Sequence, residues 1–366
     1  MDKKVGKRTI FKSIYMKNTS IFKTLAVAFV ALLAVGCGSK PATEVGTKTD
    51  ALADSAWESS QWISAVNAPV LTSRPEGDRA ADGASWFLST VKNEQKVVAA
   101  KWMTSGLGVY EIYLNGQPVG NEYLKPGFTH VFKTRRSFTY DLTDAFKCGA
   151  GAENVLSAQV TPGWWADKIV TPAGDGTKCA FRGVLELTYA DGSKKLYGTD
   201  LENWKAGIAG PVKHSAIFDG EEYDARELMG YDTPEKLSTP EENKEFKGEI
   251  LPTNGAEIYL RHDLTLSPVR AYTWKDVEGA KEDEYGKVVI AQEFAAGAPM
   301  TIKAGETLVV DFGQNCAAVP AFVFKAKEGT KLTCLPSELL NDGNGAKSRG
   351  MDGPEGSVHR ENLRTP

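Results

Sequence analysis

The sequence predicts an all-β protein: two β-sandwich, jelly-roll-like domains behind a signal peptide and a flexible tether. Three observations carry this expectation. Short segments alternate apolar and polar residues with a period of two, the pattern of half-buried strands. Asn-Gly and Asp-Gly pairs punctuate those segments, and 36 glycines and 17 prolines supply the tight turns such a chain needs. No amphipathic helical stretch longer than about ten residues follows the leader.

Residues 1–37 read as the leader. Lys3, Lys4, Lys7, Arg8, Lys12, Lys17 and Lys23 precede a charge-free run, TLAVAFVALLAV, over residues 24–35. That run has the length of a signal-peptide h-region and is too short to span a bilayer as a stable helix. It ends in Ala34-Val35-Gly36-Cys37, which resembles the lipobox of bacterial lipoproteins, with Ala34 where that motif usually has Leu. The resemblance implies lipidation of Cys37. The expected location is the cell envelope, periplasmic or surface-facing, with the lipid anchor as the only membrane contact. Residues 38–56 are small and polar and read as a flexible tether.

Residues 57–228 carry the first β-sandwich. Tyr110, Ile112 and Leu114 alternate with Glu111, Tyr113 and Asn115, and Asn115-Gly116 supplies the φ > 0 pair of a tight hairpin. Leu185, Leu187 and Tyr189 alternate with Glu186 and Thr188, and Asp191-Gly192 turns the chain. Residues 229–257, rich in Pro, Glu and Lys, read as a linker. Residues 258–366 carry the second β-sandwich, with strands expected at residues 288–290, 300–302, 307–312, 321–324 and 331–334. From residue 341 the chain is loop-like and no final strand follows, so this domain reads as truncated.

Charge and motifs exclude several functions. The net charge is −4, and no block of Lys and Arg follows residue 40, so nucleic acid is not an expected partner. A GxxxxGK[ST] phosphate loop, a GxSxG elbow and an HExxH zinc helix are all missing from the sequence. His130, His214, His262 and His359 are far apart and read as surface or packing residues. No carboxylate pair stands in an apolar setting that would raise a pKa for acid work. Cys148, Cys179, Cys316 and Cys334 form no CxxC motif. Cys316 and Cys334 flank strand-like segments and could pair if those strands are neighbours; four unpaired thiols are an equally good reading.

One ordered series of motifs is more specific. Gly108-Val109-Tyr110-Glu111 leads into Leu114-Asn115-Gly116-Gln117-Pro118-Val119-Gly120, then Leu124-Lys125-Pro126-Gly127-Phe128-Thr129 and Tyr140-Asp141-Leu142-Thr143-Asp144. Pro162-Gly163-Trp164-Trp165, Asp200, Trp204-Lys205 and Asp219-Gly220-Glu221-Glu222-Tyr223-Asp224-Ala225-Arg226 follow. In this order they resemble the N-terminal β-sandwich domain of bacterial α-L-rhamnosidases. Val310-Asp311-Phe312-Gly313-Gln314-Asn315 and Glu338-Leu339-Leu340-Asn341-Asp342-Gly343 resemble the next β domain, although Ala318 stands where that family commonly has Gly. The resemblance implies a parent enzyme that hydrolyses terminal α-L-rhamnosides with inversion, using two carboxylates and a water. In that family those carboxylates lie in a following (α/α)6 barrel, so no residue of this chain is assigned as acid or base.

Some relatives of the first domain resemble carbohydrate-binding modules that hold rhamnose through calcium. Sugar C–H faces stack on aromatic rings, and vicinal hydroxyls or a hard cation call for oxygen donors. The resemblance therefore implies a rhamnose-containing glycan as partner, calcium as the one candidate cofactor with none strictly required, and Asn121, Glu122, Trp164, Trp165, Asp167 and Asp175 as site residues. Each has an ordinary alternative: rim packing for Trp164 and Trp165, a solvated turn for Asn121-Glu122, turn chemistry for Asp175. The leading expectation is the non-catalytic front part of an exported α-L-rhamnosidase. The alternatives are a self-standing sugar-binding lipoprotein and a structural β-sandwich lipoprotein that contacts another protein.

Overall fold

A computed structural model of the chain describes residues 26–29, 44–69, 83–166, 178–217, 220–255, 257–295, 297–343, 346–347 and 351–361. The chain divides into two compact units, residues 40–260 and residues 261–366 together with 1–39. Cys37 lies outside the described residues. Within the expected leader, Ala26–Phe29 is an extended strand paired antiparallel with Met300–Lys303.

The first unit is a sandwich of two sheets. We label its main strands β1 (Ser85–Lys92), β2 (Val97–Leu107), β3 (Val109–Leu114), β4 (Thr134–Asp141), β5 (Glu153–Thr161), β6 (Ala180–Tyr189) and β7 (Trp204–Ile208). The small sheet has five strands in the order β7-β1-β5-β3 followed by Gln117–Pro118. The large sheet has eight, running Glu241–Glu242, Ile63–Ser64, β6, β2, β4 and Glu249–Pro252, with Lys194–Gly198 on β6 and Thr47–Lys48 on β4. Every pairing in the two sheets is antiparallel except that of Glu249–Pro252 with β4.

Period-two alternation sends one face of each strand inward. Tyr110, Ile112 and Leu114 of β3, with Leu156, Ala158 and Val160 of β5, face Trp102, Phe138, Tyr140 and Leu185 of the large sheet in one buried cluster. Phe181 is its centre. Its ring lies 5.8 Å from Phe87, 6.2 Å from Trp102, 6.2 Å from Tyr110 and 5.7 Å from Trp204. The corner between β2 and β3 turns on Gly108 at φ 134°, where a Cβ would fall 2.2 Å from the Thr161 carbonyl oxygen.

Both outer faces are also covered, and this corrects two expected boundaries. On the small sheet, Trp86 stacks on Tyr113 at 5.6 Å, and Tyr231 meets their rings at 5.5 and 5.2 Å. Leu237 joins that cluster, while Phe246 and Ile250 pack with Trp62 and Leu107. Residues 229–257 are therefore part of the first unit. Their overall polarity masks the few apolar side chains that dock them. On the large sheet, Ala56 and Trp57 cover Met103 and Val184. Arg182 fastens this segment through Nη2 to the carbonyl oxygens of Trp57 (2.5 Å) and Ser60 (2.8 Å), and through Nε to Ser60 Oγ (3.0 Å). The part of the expected tether that is described, residues 44–56, thus lies on the body.

The second unit contains a three-stranded antiparallel sheet of β8 (Arg270–Glu278), β9 (Lys287–Phe294) and β10 (Thr307–Asp311), with β8 in the middle. The expected strands at 288–290, 300–302 and 307–312 are present as Lys287–Phe294, Met300–Lys303 and Thr307–Asp311. Those at 321–324 and 331–334 are not: Phe324 and Leu332 pack on Ala271, Met300 and Ile302, but their segments join no ladder. Their alternation reflects burial, which strand pairing does not have to accompany. With both flanking strands missing, Cys316 and Cys334 are not brought together and remain thiols. Asp352 organises the loop-like end, accepting from Asn341 Nδ2, His359 Nδ1 and the backbone N–H groups of Arg360 and Glu361.

Phe181→Ala removes the ring that touches both sheets. It should cost about 3–5 kcal/mol in urea unfolding, with the loss confined to the first unit's transition.

Candidate functional site

The loop after β3 begins at Gly120, φ 72°, where a Cβ would fall 2.4 Å from Tyr140 Cε1 and 2.5 Å from Glu122 Oε2. This tight start turns Glu122 inward. It is 6% exposed, and its Oε2 accepts from the Tyr140 hydroxyl at 2.6 Å. Lys125, 3% exposed, donates from Nζ to the Val119 carbonyl oxygen at 3.3 Å and lies 5.4 Å from the Tyr140 ring centre. Burial lowers the Lys125 pKa, while the carboxylates of Glu122, Glu111 and Glu44 oppose the shift. Burial likewise raises the Tyr140 hydroxyl, assisted by Tyr110 and Glu122. Glu122 thus belongs to a buried polar network, and this corrects its expected place on the surface. Asn121 is the exposed oxygen donor of the pair.

The second element is a single helical turn, Gly163–Ala166. It separates its two tryptophans. Trp165 is 1% exposed and donates from Nε1 to the Lys178 carbonyl oxygen at 3.0 Å, so it is a packing residue. Trp164 is half-buried, and its ring meets Phe128 at 6.1 Å and 66°. Phe128 is 69% exposed, and nearby Phe132 is 41% exposed with its ring 5.7 Å from Trp165. Phe128 and Trp164 form an aromatic surface of the kind on which a sugar ring stacks. Phe128 and Phe132 were missed from the sequence; their place in a loop rather than a strand was the available signal.

Beneath this surface Arg135, 1% exposed, holds its guanidinium 4.8 Å from the Trp165 ring, and its Nε and Nη2 have no hydrogen-bond partner. Burial draws its pKa down to about 10. Asp167 and Asp175 lie outside the described residues. Among the described residues no group of three or more His, Cys, Asp and Glu side chains could hold a metal ion. Glu122 is engaged by Tyr140 and neighbours the Lys125 ammonium.

A carboxylate pair does exist where the sequence showed none. Glu221 lies in the hairpin strand Gly220–Tyr223, which pairs with Val212–Ala216. Its Oε1 is buried without a hydrogen-bond partner, and burial together with the charge of Glu111 pushes its pKa up to about 8. Glu111 in turn accepts from the Tyr113 hydroxyl at 2.8 Å. The hairpin brings Glu221 from more than a hundred positions away, so no local pattern marks the pair.

The model of the α-L-rhamnosidase N-terminal domain matches residues 95–257, and that of the bacterial α-L-rhamnosidase concanavalin-like domain matches residues 300–366. Over these residues the chain matches the N-terminal and concanavalin-like domains of bacterial α-L-rhamnosidases. An α-L-rhamnosidase of Streptomyces avermitilis is 30% identical over 275 residues, 74% of this chain and 22% of that one. One from an Alteromonas species is 27% identical over 254 residues, 68% of this chain and 24% of that one. The chain therefore spans about a quarter of the length of these curated relatives. The solved α-L-rhamnosidase from Dictyoglumus thermophilum is 19% identical, with a TM-score of 0.48 over 71% of this chain and 33% of that one. The aromatic surface and the buried network both fall within the matched N-terminal domain.

Glu221 yields a pH prediction. Its folded pKa of about 8 stands above the ordinary 4.5, so its stabilising contribution is complete below pH 4.5 and is lost as pH rises through 8. Glu221→Gln should remove that slope. The variant should gain stability relative to the parent on going from below pH 4.5 to above pH 8, read from urea midpoints.

Proposed function

We propose that this chain supplies the glycan-recognition part of an exported α-L-rhamnosidase, holding terminal α-L-rhamnosides rather than cleaving them. The exposed aromatic surface of Phe128 and Trp164 carries this reading. Two large rings meet edge to face, and Asn121 is an exposed amide in the stretch of chain that leads to Phe128. An apolar sugar face stacks on such rings, and side-chain amides take its hydroxyls. The partner enzyme activity is acid–base hydrolysis with inversion, and no described carboxylate is assigned to it.

Titration calorimetry with methyl α-L-rhamnoside tests the reading. Millimolar or tighter binding is expected, unchanged by a chelator. Trp164→Ala should weaken it at least about tenfold while costing less than about 1 kcal/mol of stability, because the ring is only half-buried. A silent titration with the parent chain, or release of rhamnose from an aryl rhamnoside by the purified chain, overturns it.

We further propose that Cys37 carries the lipid and that the chain resides in the cell envelope. The motif Ala34-Val35-Gly36-Cys37 after a charge-free run supports this. Expressed in a bacterial host, the full chain should incorporate labelled palmitate and fractionate with membranes. Cys37→Ser should abolish both; label retained by that variant rejects the assignment.

A further inference from the structure

A cleft of about 490 Å³ opens on the outer side of the large sheet of the first unit. Asp54, Trp57, Arg182, Glu249, Ile250 and Leu251 line it. Its size falls in the range of small-molecule sites, roughly 300–1,000 Å³. Three charges border one space without neutralising one another. Asp54 and Glu249 are exposed carboxylates, and neither makes an ion pair among the described residues. Arg182 donates to two main-chain carbonyl oxygens and the Ser60 hydroxyl, and to no carboxylate among the described residues. Its guanidinium is held 5.3 Å from the Trp57 ring, which fixes its direction.

We propose that this cleft is a second binding site, for a neutral saccharide residue, separate from the Phe128–Trp164 surface. The lining decides the ligand class. Ionised carboxylates only accept hydrogen bonds and a guanidinium only donates them, so Asp54, Glu249 and Arg182 together suit a ligand whose groups do both. Vicinal hydroxyls are such groups. Two negative charges against one positive disfavour an anionic ligand. Ile250 and Leu251 give the apolar wall against which sugar C–H groups pack. Each polar group also comes from a different element: Asp54 from the turn Asp54–Ser59, Glu249 from the edge strand Glu249–Pro252, and Arg182 from β6. Segments that looked like tether and linker thereby supply one wall each.

Nuclear magnetic resonance on the full chain tests the site, with the methyl groups of Ile250 and Leu251 and the Trp57 indole as reporters. The probes are methyl α-L-rhamnoside, methyl β-D-galactoside and the anionic galacturonate. At least one neutral glycoside should shift these signals saturably, and galacturonate should shift them at least about tenfold less readily. The double variant Asp54→Ala with Glu249→Ala should weaken the shift at least about tenfold, since two hydrogen-bond acceptors are lost. Asp54→Asn with Glu249→Gln keeps the shape and guards against a folding defect; it should weaken binding less. Trp164→Ala should leave the shifts unchanged, which keeps this site distinct from the first. The proposal fails if no neutral glycoside moves the reporters, if galacturonate binds as well, or if the double alanine variant binds like the parent.

Discussion

Phe181 projects from the large sheet until its ring meets Phe87, Tyr110 and Trp204 of the small one, and the first unit is built outward from that joint. Two sheets keep a buried face only if their inward residues interdigitate, and large aromatic rings fill the gap with the fewest side chains. The joint fixes which face of every strand looks in. It thereby also fixes which residues look out, and both candidate binding surfaces are made of outward or end-of-strand residues.

Burial of polar groups shapes the end of the sandwich. Glu122, Tyr140 and Lys125 form a compact network in which Tyr140 donates to Glu122 and the Lys125 ammonium reaches a main-chain oxygen. Buried charges are tolerated when hydrogen-bonded in this way, and they then hold the loop above them in one shape. The loop carrying Phe128 leaves directly from this network. Glu221 shows the opposite case: with one oxygen unpartnered and Glu111 near, it is easier to keep protonated than to ionise.

The outer layers matter more than their composition suggests. Tyr231 and Leu237 dock residues 229–257 onto the small sheet, and Trp57 with the Arg182 contacts docks the start of the domain onto the large one. Window averages over these stretches are polar because only every few residues is apolar. The docking side chains are nevertheless large, and a large ring buries more area than several small residues together.

The strand alternations at Tyr110-Ile112-Leu114 and Leu185-Leu187-Tyr189, the turns at Asn115-Gly116 and Asp191-Gly192, and the likeness to the β domains of α-L-rhamnosidases were all legible in the sequence. Each is local, or is an order of local motifs, and period-two burial and φ > 0 turns write themselves into neighbouring residues. The sequence also singled out Trp164 and Trp165, Asn121 and Glu122 as a group. Only the tertiary structure separated them: one helical turn points Trp164 outward and Trp165 inward, and the tight backbone at Gly120 folds Glu122 against Tyr140. The Glu111–Glu221 pair and the cleft of Asp54, Arg182 and Glu249 were likewise beyond reach. Glu111 and Glu221 lie 110 positions apart, and Asp54, Arg182 and Glu249 at least 67 apart, and no short-range pattern encodes contacts of that span.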